Sequence, residues 1–440
     1  MGYLADPTAG LPSGNEFEVK PFHSSFALDA IGQPSLGVTA GGPFGTGVAG
    51  GVSMIFGDQL SDRQIFTAIQ ANGTVKDIGG ALQYYNMKYR WNWGAGVQHI
   101  PYLTGGVFLD TATVAGGGGY SVNQLLQRIY IDQAATFAQY PFSSTRRFEF
   151  TANVTRYGFD TELLRTIFNR ANVVVDEQQT TLPGQYKPVW FAEPTVAFVG
   201  DNSFAAFTSP VQGERYRLQY TLTAGSVTYH TALLDYRKYF FFRPFTLAVR
   251  GLSLGRYGSG AEDVSTTWPL YLGEETWMRG YGYNSFTSDE CVVSGGSAQA
   301  VATGCPAFQR LFGSKIGVLN TEFRIPLFGT EGFGLLNFPF LPTEVSPFFD
   351  AGVSYTNAQG PDWRITRSAN DIPNCGNSAS FALTQQQSLY PCADRIPVFS
   401  AGLSMRFNLM GYAIMEAYVA HPFQRPTKSS VWGFQLSPGW

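Results

Sequence analysis

Trp277-Met278-Arg279-Gly280-Tyr281 sets a guanidinium beside a glycine and an aromatic ring. Gly lets the backbone turn tightly, the guanidinium offers a rigid fork of donors, and the ring anchors the tip. The chemistry of such a unit is ion pairing and positioning. Hydrolysis would need a nucleophile and a base in one constellation. The chain has four His: His23, His99, His230 and His421. Nothing selects one of them, not even His230 with its Ser and Thr neighbours. No phosphate loop, nucleotide fingerprint or metal spacing appears. The sequence therefore reads as no enzyme, with no cofactor and no metal. The four Cys fall as two local pairs, Cys291 with Cys305 and Cys375 with Cys392, in segments rich in Gly, Ser, Asn and Ala. Two local disulfides in an oxidising compartment are the expectation. Zinc is the lesser reading, since no Cys-x-x-Cys or His partner accompanies them.

What must hold the Arg-Gly-Tyr unit follows from composition. Charged residues are 14% of 440, against the usual ~25%, while aromatics are 15% and Gly numbers 50. Mean hydropathy is only -0.06, and no stretch stays apolar for the ~18 residues a spanning helix needs. Low charge, many aromatics and middling hydropathy are what membrane β-barrel strands give, because each lipid-facing residue is balanced by a lumen-facing one. A large soluble β-protein is the competing reading. The net charge of -3 with no basic run argues against nucleic acid.

Period-two alternation supports the barrel. Arg147, Glu149, Thr151 and Asn153 oppose Phe148, Phe150, Ala152 and Val154. Arg217, Gln219 and Thr221 oppose Leu218, Tyr220 and Leu222, and Ser400, Ser404 and Arg406 oppose Phe399, Leu403 and Met405. About sixteen strands are expected, the first at 35–40 and the last at 431–436, an even number as bacterial barrels have. With the first strand running outward, the four longest connections (101–124, 158–189, 258–313 and 356–395) all fall outside, as the rule of long outer loops requires. The piece 160–170 reads as helix-like. Residues 1–23 read as a linker, and 24–440 as an antiparallel transmembrane β-barrel. No signal peptide is visible at Met1, so the expectation is a mature, truncated or carboxyl-terminal piece.

Three motifs in order carry a resemblance. Met278-Arg279-Gly280-Tyr281 lies in the largest outer loop. Asn320-Thr321-Glu322-Phe323-Arg324 lies on the next strand, and Phe348-Phe349-Asp350-Ala351-Gly352 on the one after. Together they resemble the bacterial surface antigen superfamily, which includes the BamA/TamA type of outer-membrane assembly factor and the two-partner secretion translocators. Its loop motif is Val/Ile-Arg-Gly-Phe/Tyr, here with Met278 first, and its strand motif is Phe-x-Asp-x-Gly, met by Phe348, Asp350 and Gly352. The resemblance implies a loop folded into the lumen, with Arg279 docked on Asp350 and Glu322. A diffuse lumen network with Asp235, Arg237, Arg250 and Glu416 is the alternative. The end from Trp432 to Trp440 is similar to the family's final, targeting strand.

The family mechanism uses a weak seam between first and last strands. Here that implies Ser35, Leu36, Gly37 and Val38 against Gly433, Phe434, Leu436 and Trp440. The first strand is interrupted by Gly37, and the last ends at Pro438-Gly439, which cannot extend a ladder well. The implied function is protein insertion or translocation at the bacterial outer membrane. Implied partners are the bilayer with its lipopolysaccharide and outer-membrane or secreted clients. The family carries periplasmic polypeptide-transport-associated (POTRA) domains ahead of its barrel, and residues 1–23 are too few for one. Either such domains have been removed, or another kind of amino-terminal domain is fused ahead of the barrel, or the barrel works without one; the linker-like start favours the first two. A passive or plugged channel, or an anchor for a missing soluble domain, are the alternatives.

Overall fold

The computed structural model describes residues 25–440 apart from 33, 40–46, 73–74, 115–116, 183–186, 264–265, 288–289, 291, 295–300, 305, 364–393, 410, 412, 426 and 437–440. The linker 1–23, all four Cys and Trp440 lie outside the described residues.

The chain is antiparallel β almost throughout. Its first half runs β1 (Ala27–Ile31), β2 (Ser35–Thr39), β3 (Gly47–Gly57), β4 (Arg63–Asn72), β5 (Ile78–Asn86), β6 (Asn92–Val114), β7 (Gly117–Ser143), β8 (Arg146–Phe168), β9 (Val174–Thr181) and β10 (Val189–Asp201). After the short β11 (Phe204–Ala205) come β12 (Pro210–Gly225), β13 (Tyr229–Phe242) and β14 (Phe245–Tyr257). The large loop holds four short strands, β15 (Leu270–Tyr271), β16 (Val292–Ser294), β17 (Val301–Gly304) and β18 (Phe312–Gly313), and one helical turn, α1 (Pro306–Gln309). The sheet resumes with β19 (Lys315–Gly329), the short β20 (Leu336–Asn337), β21 (Thr343–Tyr355), β22 (Val398–Leu409), β23 (Ala413–Pro422) and β24 (Val431–Leu436).

β1 and β2 both lie along β3 and make one interrupted span. From there each span pairs with the next in the order β3, β4, β5, β6, β7, β8, β10, β12, β13, β14, β19, β21, β22, β23, β24. That makes sixteen spans, and the long connections share one end. The first span begins earlier than the sequence suggested. It is broken around Gly32 and Pro34, where the Gly32 N–H still reaches Ser53 O at 2.8 Å. Pro34 has no N–H to continue the ladder.

The faces decide between barrel and sandwich. A soluble sandwich buries its apolar face. Here Leu234, Leu319, Leu403 and Trp432 are exposed, the last at 77%, while Glu322 and Asp350 are fully buried at 0%. The sheet is inside out, as a membrane barrel requires: lipid solvates the apolar face, and the polar face must satisfy itself within the lumen.

Two readings of the outer connections are corrected. Residues 101–114 and 117–124 are strand and not loop, and 160–170 are not helical. β6, β7 and β8 run for 23, 27 and 23 residues, far beyond the ~9–11 that cross a bilayer, with β9 paired to the upper part of β8. Residues 160–168 read as helix because Leu163, Leu164, Ile167 and Phe168 recur at helical spacing. Both neighbours offer a full ladder, and pairing overrides that local preference.

The apolar face ends at a cross-strand row. His99, Asp132 and Arg156 lie opposite one another on β6, β7 and β8, with His99 Nδ1 2.5 Å from Asp132 Oδ1 and Arg156 Nη1 2.8 Å from Asp132 Oδ2. Below the row the same face carries Val97, Ala134 and Val154. Above it, the β4–β5 connection is strapped onto the sheet. Arg128 bonds Asp77 at 2.8 Å and Glu162 at 2.9 Å, all three nearly buried, and Lys76 bonds Glu162 at 2.6 Å. At the other end Trp91 packs on Tyr140 at 5.0 Å between centroids, with Arg90 over the same ring, as interface aromatics do.

Arg128→Met takes the shared cation from buried Asp77 and Glu162 and leaves only Lys76 on Glu162. A loss of about 3–5 kcal/mol is expected, seen by hydrogen exchange as deprotection of upper β7 and β8 with β12–β13 unchanged. Uniform deprotection would mean that the extension is not a separate unit.

Candidate functional site

The described residues of the loop 258–313 form a folded plug. Tyr271, Tyr283, Phe286, Phe308 and Phe312 pack ring to ring within it. Leu272, Met278, Tyr281 and Leu311 join Leu252, Ile316, Val318 and Val398 of the wall in one buried apolar cluster. Met278, where the family has Val or Ile, is fully buried there. Only shape and apolarity are asked of that position, and Met satisfies both.

Arg279 sits at the tip, against the carboxylates of the wall. Its Nε and Nη2 donate to the two oxygens of Asp350 at 2.9 and 2.8 Å, a bidentate pair. Nη1 donates to Glu322 at 2.7 Å and to Glu416 at 3.2 Å. Phe348 lies under the guanidinium, 3.5 Å from ring centroid to Cζ.

The strand motif now has a physical account. Phe348, Asp350 and Gly352 alternate onto one lumen face of β21. The first stacks on Arg279 and the second pairs with it. The third leaves room for the plug, since a Cβ at Gly352 would lie 2.9 Å from Leu272 Cδ1. Gly280 is required twice over: its φ is +86°, and a Cβ would lie 3.1 Å from Ala420 Cβ.

Of the residues in the diffuse alternative, Glu416 joins the Arg279 pairing in one cluster, while Asp235 takes Arg237 and Arg250 beside it. Arg406 bonds Glu322 at 2.7 Å, Glu416 at 3.0 Å and Glu344 at 3.4 Å, and Arg324 bonds Glu322 at 2.9 Å. Asp235 and Arg250 form a neighbouring pair, and Arg250 Nη1 donates to Thr276 O at 2.9 Å.

Sequence reasoning missed several further clamps. Asn320 Nδ2 donates to Trp277 O at 2.8 Å and to Asp350 at 2.9 Å. Arg425, in the β23–β24 connection and almost fully buried, donates to Gly280 O at 2.6 Å, to Ser285 O at 2.7 Å and to Glu290 at 2.7 Å. The Tyr281 hydroxyl lies 3.0 Å from Phe399 O and accepts the Gln424 N–H at 3.1 Å. Asn320 stood inside a recognised motif and could have been found. Arg425 could not, because an Arg in a short outer turn reads as solvated.

Burial pushes the Glu290 carboxyl up, but Arg425 and the Thr287 amide pull harder, so it titrates below its ordinary value. Of the seam residues, Ser35, Leu36, Gly37 and Val38 pair only with β3, and Gly433, Phe434 and Leu436 only with β23, among the described residues.

No protein-family model matches the sequence, and no curated protein matches it. Among solved structures, BamA from Haemophilus ducreyi lacking POTRA domains 1-3 is similar at 13% identity, with a TM-score of 0.48, over 94% of this chain and 74% of that one. CdiB from Acinetobacter baumannii is similar at 11% identity and 0.39, over 89% of this chain and 56% of that one. CdiB from Escherichia coli is similar at 11% and 0.42, over 95% and 67%. The fold assignment itself rests on the sixteen-span ladder and its inverted faces. The chain is a transmembrane β-barrel with a long loop docked in its lumen, Arg279 at its tip.

Two outcomes test the site. Arg279→Ala leaves three buried carboxylates short of a cation and should cost about 3–5 kcal/mol, measured by thermal unfolding in detergent. Arg279→Lys keeps the charge, loses the fork and should fall between. A variant as stable as the parent would show that the docking is dispensable. Glu290 supplies the second test. Its contribution is complete above its unfolded value of about 4.3 and is lost as pH falls through the lower folded value. Hydrogen exchange at 280–286, corrected for intrinsic rate, should therefore rise below about pH 4. Glu290→Gln should remove that dependence; a dependence that survives belongs to another carboxylate.

Proposed function

We propose that the chain inserts or translocates polypeptides at the bacterial outer membrane, opening sideways between its first and last spans. The loop end faces outward and the turn end faces the periplasm. Its partners are the lipid bilayer with its lipopolysaccharide and outer-membrane or secreted client proteins, and it acts without catalysis. The reading also includes a periplasmic domain working ahead of the barrel.

One observation carries this reading. Among the described residues no ladder joins β24 to β1 or β2. β24 pairs with β23 over six residues, and β1 and β2 have five residues each. β12 and β13, in the middle of the sheet, pair over eleven. A span with few ladder bonds opens at low cost, since local stability follows buried contacts and bonded backbone. The His99–Asp132 pair, which could suggest a base, belongs to the row at the membrane boundary.

A plugged channel is the second reading, favoured by the loop that fills part of the lumen. The two differ at the seam. Hydrogen exchange in lipid nanodiscs should find β2 and β24 exchanging at least about tenfold faster than β12 and β13, a difference of about 1.4 kcal/mol. Equal protection would remove the lateral opening and leave the plugged channel.

A further inference from the structure

The connection between β10 and β12 is a turn-end connection, of the kind expected to be short and solvated. Instead it reaches past β13 and β14 and lies against β19, β21 and β22. Asn408 Nδ2 donates to Phe207 O at 2.6 Å. The Ser209 and Thr208 hydroxyls donate to Glu344 Oε2 at 2.8 and 3.2 Å. Arg324 Nη1 donates to Pro210 O at 2.8 Å. Thr208, Ser209 and Val211 are buried, as is Glu344. Phe204 and Phe241 both pack on Phe333 of the neighbouring turn-end connection. A hairpin that only linked two adjacent strands would need none of these contacts with spans three to five places away.

The residues that hold the turn are the ones that hold the plug. Glu322 takes Arg279 on Oε1 and Arg324 on Oε2, and Arg324 binds Pro210 O, where the turn enters β12. Glu416 takes Arg279 on Oε1 and Arg406 on Oε2. Arg406 meets Glu344 Oε1, whose other oxygen binds Ser209 and Thr208. Two unbroken routes of charge-assisted bonds thus join the outer loop tip to the inner turn. No cation in them can move without leaving a buried carboxylate short of a partner, which is costly enough to make the two ends move together.

We infer that the turn 202–209 is a latch across the inner mouth of the lumen, coupled through this cluster to the outer plug, so that release of either end loosens the other. The inference holds whether the barrel carries polypeptides or ions.

The test is the rate at which a maleimide modifies Thr208→Cys in nanodiscs, where both mouths are accessible. Modification is read peptide by peptide by mass spectrometry, so the native cysteines do not interfere. In the parent background modification should be slow. Asn408→Ala, which removes a latch bond outside the cluster, should speed it at least about fivefold. Arg279→Ala should do the same from the far end. Arg425→Gln should too; it frees the loop tip while leaving every member of the cluster in place, and so serves if Arg279→Ala does not fold. Fast modification in the parent overturns the latch. An unchanged rate in the folded loop-tip variants overturns the coupling.

Discussion

A guanidinium held among three carboxylates, out of water, is the interaction on which the rest of the lumen depends. Bringing each such ion out of water costs several kcal/mol, and no single pair recovers that. The cluster does so by sharing. Arg279, Arg324 and Arg406 face Glu322, Glu344, Asp350 and Glu416, and Arg406 and Glu322 each bond three members. Three cations against four anions leave the wall alone, without Arg279, with two more anions than cations. The plug is therefore the cation the wall lacks. Arginine suits the place because its fork engages Asp350 with two donors and still reaches Glu322 and Glu416; a lysine has one point charge to offer.

The inverted sheet explains why the polar residues carry the specificity. Lipid accepts any apolar side chain on the outer face, so Leu, Val, Phe and Trp there fix little beyond burial depth. Inside, each donor and acceptor needs a partner. The tip accordingly has its backbone tied as well as its side chains: the carbonyls of Thr276, Trp277 and Gly280 accept from Arg250, Asn320 and Arg425. These are bonds to two spans and one connection, which places the tip by triangulation.

This division sets what could be read from the chain. Period-two alternation and the even count were legible because lipid and lumen impose opposite demands on successive residues. Strand ends were not. Above the His99–Asp132–Arg156 row, β6, β7 and β8 no longer feel that opposition, so Leu163 and Leu164 look helical and only neighbouring strands settle the matter. In the site, Arg279, Glu322 and Asp350 stood in motifs of characteristic residue order. Glu416, Arg406 and Arg425 did not, because their partners lie up to 145 residues away in the chain and only the folded loop and the strand register bring them together.

The plug is docked off-centre, and that bears on how the seam can move. Its anchors lie on β14, β19, β21, β22, β23 and the β23–β24 connection. The lumen face of β5 to β8 is uncharged around Gln83, Gly96, Gln98, Gln133 and Asn153, which line a groove of about 360 Å³. β24 itself meets the plug through Gln435 Nε2 and Glu275 O, at a long 3.5 Å. Every carboxylate of the cluster sits on β19, β21 or β23, none on the terminal spans. Under the lateral opening proposed above, β24 would part from the first span while Arg279 keeps all three partners, so opening the seam and withdrawing the plug are energetically separate events.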